Sequence, residues 1–245
     1  MNGIVVRRVA RVGPELIERL SGYGVATLHE AQGRSGLMKP WMRPIYEGAK
    51  CCGSAVTVLG HPGDNWMLHV AAELIRPGDV VVMAVSADNT DGMFGELLAT
   101  SYRARGATGL VIEAGCRDVG EIRMMGFPVW SRAISARGTV KATLGSVNIP
   151  VICAGTAVHP GDIIAADDDG VVVIPHARAA AVAQAAEARE NREAETRKRL
   201  AAGELGLDIY GMREGLAQAG LTYLDDAPAT SQSGASNQRK TGTEQ

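Results

Sequence analysis

Aromatic residues make up only 4% of this 245-residue chain, so the core must be built from Val, Ile, Leu, Ala and Met. No apolar run approaches the roughly 18–20 residues that span a bilayer, and no membrane partner is expected. A net charge of −2 argues against a globally basic nucleic-acid binder. The four cysteines, Cys51, Cys52, Cys116 and Cys153, show no CxxC or metal-ligand spacing. Cys51 and Cys52 are adjacent in an apparent strand and would face opposite sides, so free buried thiols are expected. No GxGxxG or Walker pattern is present. The opening MNGIVVRRVARVG lacks the apolar core of a secretory signal, and the expectation is a soluble, cytoplasmic protein.

What is present is an ordinary globular mixture, 46% hydrophobic and 21% charged, long enough for one fairly large domain or two small ones. Thirty glycines imply many tight turns. Pro14-Glu15 opens a short helix that Gly22 and Gly24 interrupt, and 25–32 makes a second. A strand is expected over 49–59, a turn at His61-Pro62-Gly63-Asp64, and helical spacing over 65–75. Residues 80–85 form a continuous apolar run of the kind buried on both faces. A polar loop at 88–92, a helix over 95–105 and a strand over 109–113 follow. Gly115-Cys116-Arg117-Asp118 reads as the loop after that strand, 119–125 as a short helix and 129–131 as a further strand. This rhythm predicts βαβ units around a largely parallel sheet, with ligands gathering at the carboxyl ends of its strands.

The second half is richer in β. Strands are expected over 151–153, 162–166 and 170–174, with Asp-Gly marking a hairpin between the last two. Asp167–Asp169 resembles a metal site, but the backbone preferences of Asp in turns account for it. Pro-Gly-Asp recurs at 62–64, 77–79 and 160–162, which is turn chemistry reused. Residues 176–202 read as one long Ala- and Glu/Arg-rich helix ending at Gly203, and 205–219 as a second. The long helix carries only a thin Ala stripe, so it lies on the body or on a neighbouring subunit. From 226 onward the polar, low-complexity sequence predicts a disordered tail.

The densest chemistry sits on the two loops after the buried strands. Twenty residues separate Glu96 from Arg117, one helix plus one strand, so a right-handed βαβ unit returns both to the same sheet edge. The helix beginning at Gly95-Glu96-Leu97-Leu98 presents unpaired N–H groups near Leu97 and Leu98 to an anion. Arg117 adds a planar fork that suits a carboxylate. Asp118 is of the type that holds Mg²⁺ while the ion keeps several waters. Together they describe a site for a 2-oxo acid chelating a divalent ion, although an Arg-Asp pair at a helix start also occurs as a plain surface ion pair or N-cap. The five histidines form no ligand cluster, and Cys116 has no paired base.

Gly95-Glu96-Leu97-Leu98, the twenty-residue gap and Arg117-Asp118 resemble the acidic-X20-Arg-Asp motif of the class II 4-hydroxy-4-methyl-2-oxoglutarate / 4-carboxy-4-hydroxy-2-oxoadipate aldolases. These share a fold with the RraA-like regulators of ribonuclease E. Thr27-Leu28-His29-Glu30-Ala31 with Gly33-Arg34, Gly63-Asp64-Asn65, Pro77-Gly78-Asp79-Val80 and Asp169-Gly170-Val171-Val172-Val173 resemble the same family, in order, from about residue 10 to 224.

The resemblance implies an RraA-like α/β/β fold similar to the phosphohistidine swivelling domain: a core over 1–175, a C-terminal helical extension over 176–225 and a tail over 226–245. It implies that the Leu97 and Leu98 N–H groups hold a pyruvyl carboxylate. Arg117 would stabilise the enolate, and Asp118 would anchor Mg²⁺ or Mn²⁺. Glu96 would orient a water or move a proton. Glu30 and Glu193 would come from a neighbouring protomer, each having a plain alternative as a solvated helix charge. Asn65 and Lys141 are candidates for the carboxylate at C4, Asn65 being equally placed to act only as an N-cap.

The implied function is a lyase that splits 4-carboxy-4-hydroxy-2-oxoadipate into pyruvate and oxaloacetate, and 4-hydroxy-4-methyl-2-oxoglutarate into two pyruvates. Oxaloacetate decarboxylation would accompany it, in bacterial gallate or protocatechuate 4,5-cleavage. A homotrimer or hexamer with sites between protomers is implied too. The rival reading is a non-catalytic RraA-like regulator that binds ribonuclease E. The C-terminal extension carrying Glu193 favours the aldolase.

Overall fold

The computed structural model describes residues 3–226. The chain divides into two compact units, Met1–Glu193 and Ala194–Gln245. The first opens with helices α1 (Pro14–Ser21) and α2 (Val25–Ala31), as the Gly22 and Gly24 breaks predict. The strand β1 (Arg43–Pro44) precedes β2 (Cys51–Gly60), helix α3 (Trp66–Ala72) and β3 (Asp79–Val85). Then come β4 (Gly92–Phe94), α4 (Glu96–Ala104), β5 (Gly109–Cys116), α5 (Val119–Met125) and β6 (Val129–Ile134). The β-rich half holds β7 (Ser146–Val147), β8 (Val151–Cys153), β9 (Thr156–Val158), β10 (Ile163–Asp167) and β11 (Gly170–Ile174), before the long α6 (Ala179–Ala201).

The main sheet runs β1-β6-β5-β3-β2-β10-β11, with β4 beside β5 and β7 beside β2. Its centre, β2 through β6, is parallel, and β10 and β11 add antiparallel strands. Alternation along the strands divides the core. Val81 and Met83 of β3, with Leu110 and Ile112 of β5, pack under α3, α4 and α5. Val80 and Val82, with Val111, face the other way onto Val151, Cys153 and Val158 of the small β8-β9 sheet. A helix layer, a main sheet and a second β layer make the α/β/β arrangement. Leu20, Val25 and Leu28 cover β10 and β11 together with the first turns of α6, through Ala179, Val182, Ala183 and Ala186. Cys51 and Cys52 fall into different layers, and all four thiols are free and buried.

The three Pro-Gly-Asp turns share one build. Gly63, Gly78 and Gly161 all have positive φ (70°, 91° and 87°), and the Asp after each is buried. Asp79 and Asp162 fold back to accept the backbone N–H of Arg76 and His159 at 2.7 and 2.8 Å. The Asp167–Gly170 hairpin closes on its own carboxylates: Asp167 accepts from Val25 and Asp169, and Asp168 from Gly48.

Three details differ from the sequence expectation. Gly115 and Cys116 belong to β5 rather than to a loop, because β4 on one side and the end of β6 on the other pair with them and extend the ladder. The short strands β4, β7 and β9 carry too few residues to show a period. The single helix expected over 205–219 is two, α7 (Gly206–Ile209) and α8 (Arg213–Gln218), separated at Gly211, whose φ of 64° a helix cannot absorb. Within this second unit Arg199 grips Glu204 at 2.7 Å and Arg213 pairs with Asp208. Of the tail expected over 226–245, all but Asp226 lies outside the described residues. No helix among the described residues is long and apolar enough to cross a membrane.

Candidate active site

The strand ends at the top of β4 and β5 bring the sequence-derived cluster together. Gly92 and Phe94 lie beside Gly115 and Cys116, and the Arg117 N–H continues the ladder to the Phe94 carbonyl at 2.9 Å. Gly95 then caps α4 in an extended conformation. Asp118 opens α5 in the left-handed region, φ 54°, a conformation that costs a non-glycine residue on the order of 1 kcal/mol. The turn sends its carboxylate across to α4, where Oδ2 accepts the Glu96 N–H at 3.1 Å. Arg117 Nε lies 3.7 Å from the same oxygen.

Ala99 donates to the Gly95 carbonyl, so the N–H groups of Leu97 and Leu98 have no acceptor within their own helix. They point to the edge where Arg117 stands, a helix start suited to an anion. Three glycines make room around Arg117. A Cβ on Gly92 would sit 3.1 Å from its Cβ, one on Gly138 3.3 Å from Nη1, and one on Gly95 3.0 Å from Nε. A Cβ on Gly95 would also collide with Asp118 Oδ2. Arg117 and Asp118 stay about two-fifths exposed (38% and 44%), open to a small ligand. Glu96 is turned along its own helix, its Oε1 accepting from Thr100 at 2.8 Å. Cys116, behind Arg117, is a buried thiol raised to about 12 by burial first and by the Asp118 charge second, which removes it as a nucleophile.

Asn65 and the loop carrying Lys141 border this edge. The Asn65 amide donates to the Met93 carbonyl of β4 at 3.1 Å, and its Oδ1 is buried without a partner among the described residues. Asn65 occupies the N-cap position of α3, as the sequence allows, but its side chain makes no cap bond there. Gly92 donates to the Arg137 carbonyl, and Val140 exchanges backbone hydrogen bonds with Gly63 and Asn65. Lys141 follows directly. It is exposed, and no carboxylate pairs with it among the described residues. The pKa of His69 is lowered first by its own partial burial and second by the Lys141 charge.

Glu30 and Glu193 share one arginine. Arg189 on α6 lies 2.7 Å from Glu193 and 3.6 Å from Glu30, and Arg34 grips Glu30 at 2.9 Å. The Arg34 hydrogen bond holds the Glu30 carboxyl below its ordinary range. No hydrogen bond or ion pair joins this cluster to Arg117 or Asp118 within the described residues. Sequence reasoning missed Gly92, Gly138 and Asp64. The recurring Pro-Gly-Asp turn and the family-like Gly63-Asp64-Asn65 stretch point at Asp64 without giving its role; nothing in the sequence marks the other two.

The RraA-like family model, described as Aldolase/RraA, matches residues 16–173. The chain belongs to the Aldolase/RraA family. Among its RraA-like relatives is a protein of Halalkalibacterium halodurans named "Putative 4-hydroxy-4-methyl-2-oxoglutarate aldolase", 31% identical over 61% of this chain and 71% of that one. The Streptomyces coelicolor RraAS2 structure, described as an unusual member of the RNase ES inhibitor RraA protein family, is similar at a TM-score of 0.68. It is 28% identical and covers 77% of this chain and 98% of its own. An uncharacterised Pseudomonas syringae protein shares the fold at a TM-score of 0.69, with 24% identity over 80% and 96% of the two chains.

Among the described residues no three His, Cys, Asp or Glu side chains gather as a ready metal cage. The donor set at the edge is a single carboxylate, Asp118, with Oδ2 engaged by Glu96 and the side chain open to solvent. That fits an ion such as Mg²⁺ or Mn²⁺, which binds through one or two carboxylates and retains waters, and does not fit structural zinc.

Proposed function

We propose that this Aldolase/RraA chain is a divalent-metal-dependent pyruvate aldolase. In this reading it cleaves 4-carboxy-4-hydroxy-2-oxoadipate to pyruvate and oxaloacetate, and 4-hydroxy-4-methyl-2-oxoglutarate to two pyruvates. The observation that carries the reading is the space left by Gly95 between a free helix start and the Arg117-Asp118 pair. The names of several relatives at about 30% identity support the same reaction class.

The Leu97 and Leu98 N–H groups take the C1 carboxylate of the substrate. Arg117 donates to the 2-oxo oxygen, where charge accumulates as the C3–C4 bond breaks and its electrons form the enolate. Asp118 would hold Mg²⁺ or Mn²⁺, which would supply Lewis acidity to the 2-oxo acid. Lys141 and Asn65 receive the carboxylate at C4. One acid–base group must accept the proton leaving the C4 hydroxyl and return one to C3. Glu96 of the same chain and Glu30 or Glu193 of a neighbouring copy are the candidates, and Asp118 and Arg117 are spoken for. Oxaloacetate decarboxylation follows from the same apparatus, since it too leaves a pyruvate enolate.

The neighbouring copy belongs to the proposal. Leu97, Ile134 and Val140 expose 82%, 62% and 60% of their surface around this edge, an apolar rim of the kind that subunit contacts cover. We place the site in a core over 1–175 and give the extension over 176–225 the role of carrying Glu193 to an adjoining protomer of a trimer or hexamer.

A second reading, a regulator that binds ribonuclease E, is favoured by the likeness to RraAS2. A lactate-dehydrogenase-coupled assay with each 2-oxo acid, run with Mg²⁺ and again with EDTA, separates the two. Metal-dependent pyruvate release supports the aldolase. Its absence from folded, Mg²⁺-supplied protein, together with inhibition of ribonuclease E, supports the regulator.

A further inference from the structure

Of the three Pro-Gly-Asp turns, the one at Asp64 uses its carboxylate differently. Asp79 and Asp162 bond back to the residue three positions earlier in their own turns, and besides that Asp79 pairs with Arg11 and Asp162 accepts the His176 N–H. Among the described residues Asp64 makes no such bond back. The Asp64 turn has the same backbone closure, N–H to the His61 carbonyl, yet its carboxylate reaches forward and outward. Oδ1 accepts the Trp66 N–H at 2.9 Å, and Oδ2 accepts the N–H groups of Ala142 and Thr143 at 2.8 and 2.7 Å. Asp64 is 3% exposed, and no cation pairs with it among the described residues.

The two distant donors flank Lys141 on its C-terminal side. On its N-terminal side Val140 bridges to Asp64, donates to the Gly63 carbonyl and accepts from the Asn65 N–H. Lys141 is therefore fastened on both sides to one short turn. Three residues earlier Gly138 packs on Arg117, so the Lys141 Cα stays within about 11 Å of the Gly138 Cα, the limit of an extended chain.

We infer that Asp64 is a positioning residue: its carboxylate clamps the 140–143 segment so that the uncommitted Lys141 ammonium is presented to the anionic far end of the substrate. This deepens the aldolase reading and rests on it for the substrate. The gain is entropic. A lysine on a free loop must order both its backbone and its stem when it binds, whereas one on a clamped loop orders the stem alone.

The test compares Asp64→Ser, Asp64→Asn, Lys141→Ala and the Asp64→Ser/Lys141→Ala double variant in the full chain. Serine is a good helix cap, so it can keep the Trp66 bond but is too short for Ala142 and Thr143. Asparagine can turn its amide oxygen to those two donors and keep the clamp in part. Amide hydrogen exchange should rise at 140–143 in Asp64→Ser, less in Asp64→Asn, and not at all in the distant β10–β11 hairpin. The KM for 4-carboxy-4-hydroxy-2-oxoadipate should rise about ten-fold in Asp64→Ser, a loss comparable to one charged contact, with a smaller change in kcat. The double variant should be no worse than Lys141→Ala, because both remove one function. Unchanged exchange at 140–143 overturns the clamp even if the wild type turns nothing over. Turnover by the wild type with additive KM losses in the double variant overturns the link to Lys141 and leaves the aldolase reading standing. If Asp64→Ser does not fold, an Asp64→Asn variant matching the wild type in both exchange and KM overturns the proposal, and one displaced in both supports it.

Discussion

Gly95 lies beneath the carboxylate of Asp118, so close that a single added methyl would meet Oδ2 and come within 3.0 Å of Arg117 Nε. Its own backbone is extended, φ −147° and ψ −174°, which any residue can adopt. The side chain is therefore missing for the sake of the space and not for the turn. Gly95→Ala is expected to fold with a melting temperature within a few degrees of wild type, while pyruvate release falls at least about 100-fold as the arginine and carboxylate are displaced. Thermal denaturation beside the coupled assay checks both halves.

Asp118 serves a helix end and, in the proposal, an ion. Asparagine tolerates its left-handed backbone and can still accept the Glu96 N–H. Asp118→Asn should accordingly keep stability to within about 0.5 kcal/mol and lose Mn²⁺ binding, read by electron paramagnetic resonance. Retained binding would move the ion elsewhere.

Burial alone would raise the pKa of Asp64, but the N–H groups of Trp66, Ala142 and Thr143 outweigh it and hold the group below its ordinary value. A depressed carboxylate adds stability above its unfolded-state pKa, near 3.9, and that stability drains away as pH falls through the folded-state value. The stability gap between wild type and Asp64→Asn should be widest well above the unfolded-state value, about 3.9, and shrink as pH falls below it. Denaturant melts across that window would show it; a gap that widens in acid contradicts the assignment.

The buried thiols offer a simple check on the packing. Cys52 and Cys116 are pushed up to about 12 by burial, and Cys51 and Cys153 rise as well. Ellman's reagent should find no fast-reacting thiol in native protein and all four after denaturation. A rapid native thiol would mean that the β2 or β5 layer opens.

Glu30 and Glu193 share Arg189 rather than approaching Arg117. If they serve a neighbouring site, Arg117→Ala and Glu193→Gln proteins, each impaired alone, should recover part of the wild-type turnover when unfolded together and reassembled. No recovery would confine the site to one chain.

Much of the site was legible because it sits where two buried strands end. The continuous apolar runs at 80–85 and 109–113 and the twenty-residue gap suffice to place Glu96, Arg117 and Asp118 on one edge. What escaped has physical reasons. Strand β4 is three residues long, too short for a period, yet its pairing, with that of β6, draws Gly115 and Cys116 into β5. Gly92 and Gly138 matter through side chains that approach them from elsewhere, which no local pattern records. The Asp64 clamp joins positions 78 and 79 apart, and a turn motif announces only its own half.

At the centre of the proposed mechanism, Arg117, beside the free start of α4, stabilises a pyruvate enolate. The most direct test is exchange of the pyruvate methyl protons in D₂O, followed by NMR with Mg²⁺ present, for wild type and Arg117→Ala. The predicted result is catalysed exchange by the wild type, abolished by EDTA and reduced roughly 100–1,000-fold in the variant, the scale of losing one charge-stabilising donor. Equal exchange by the two proteins, or none by a folded wild type that binds Mn²⁺, would contradict it.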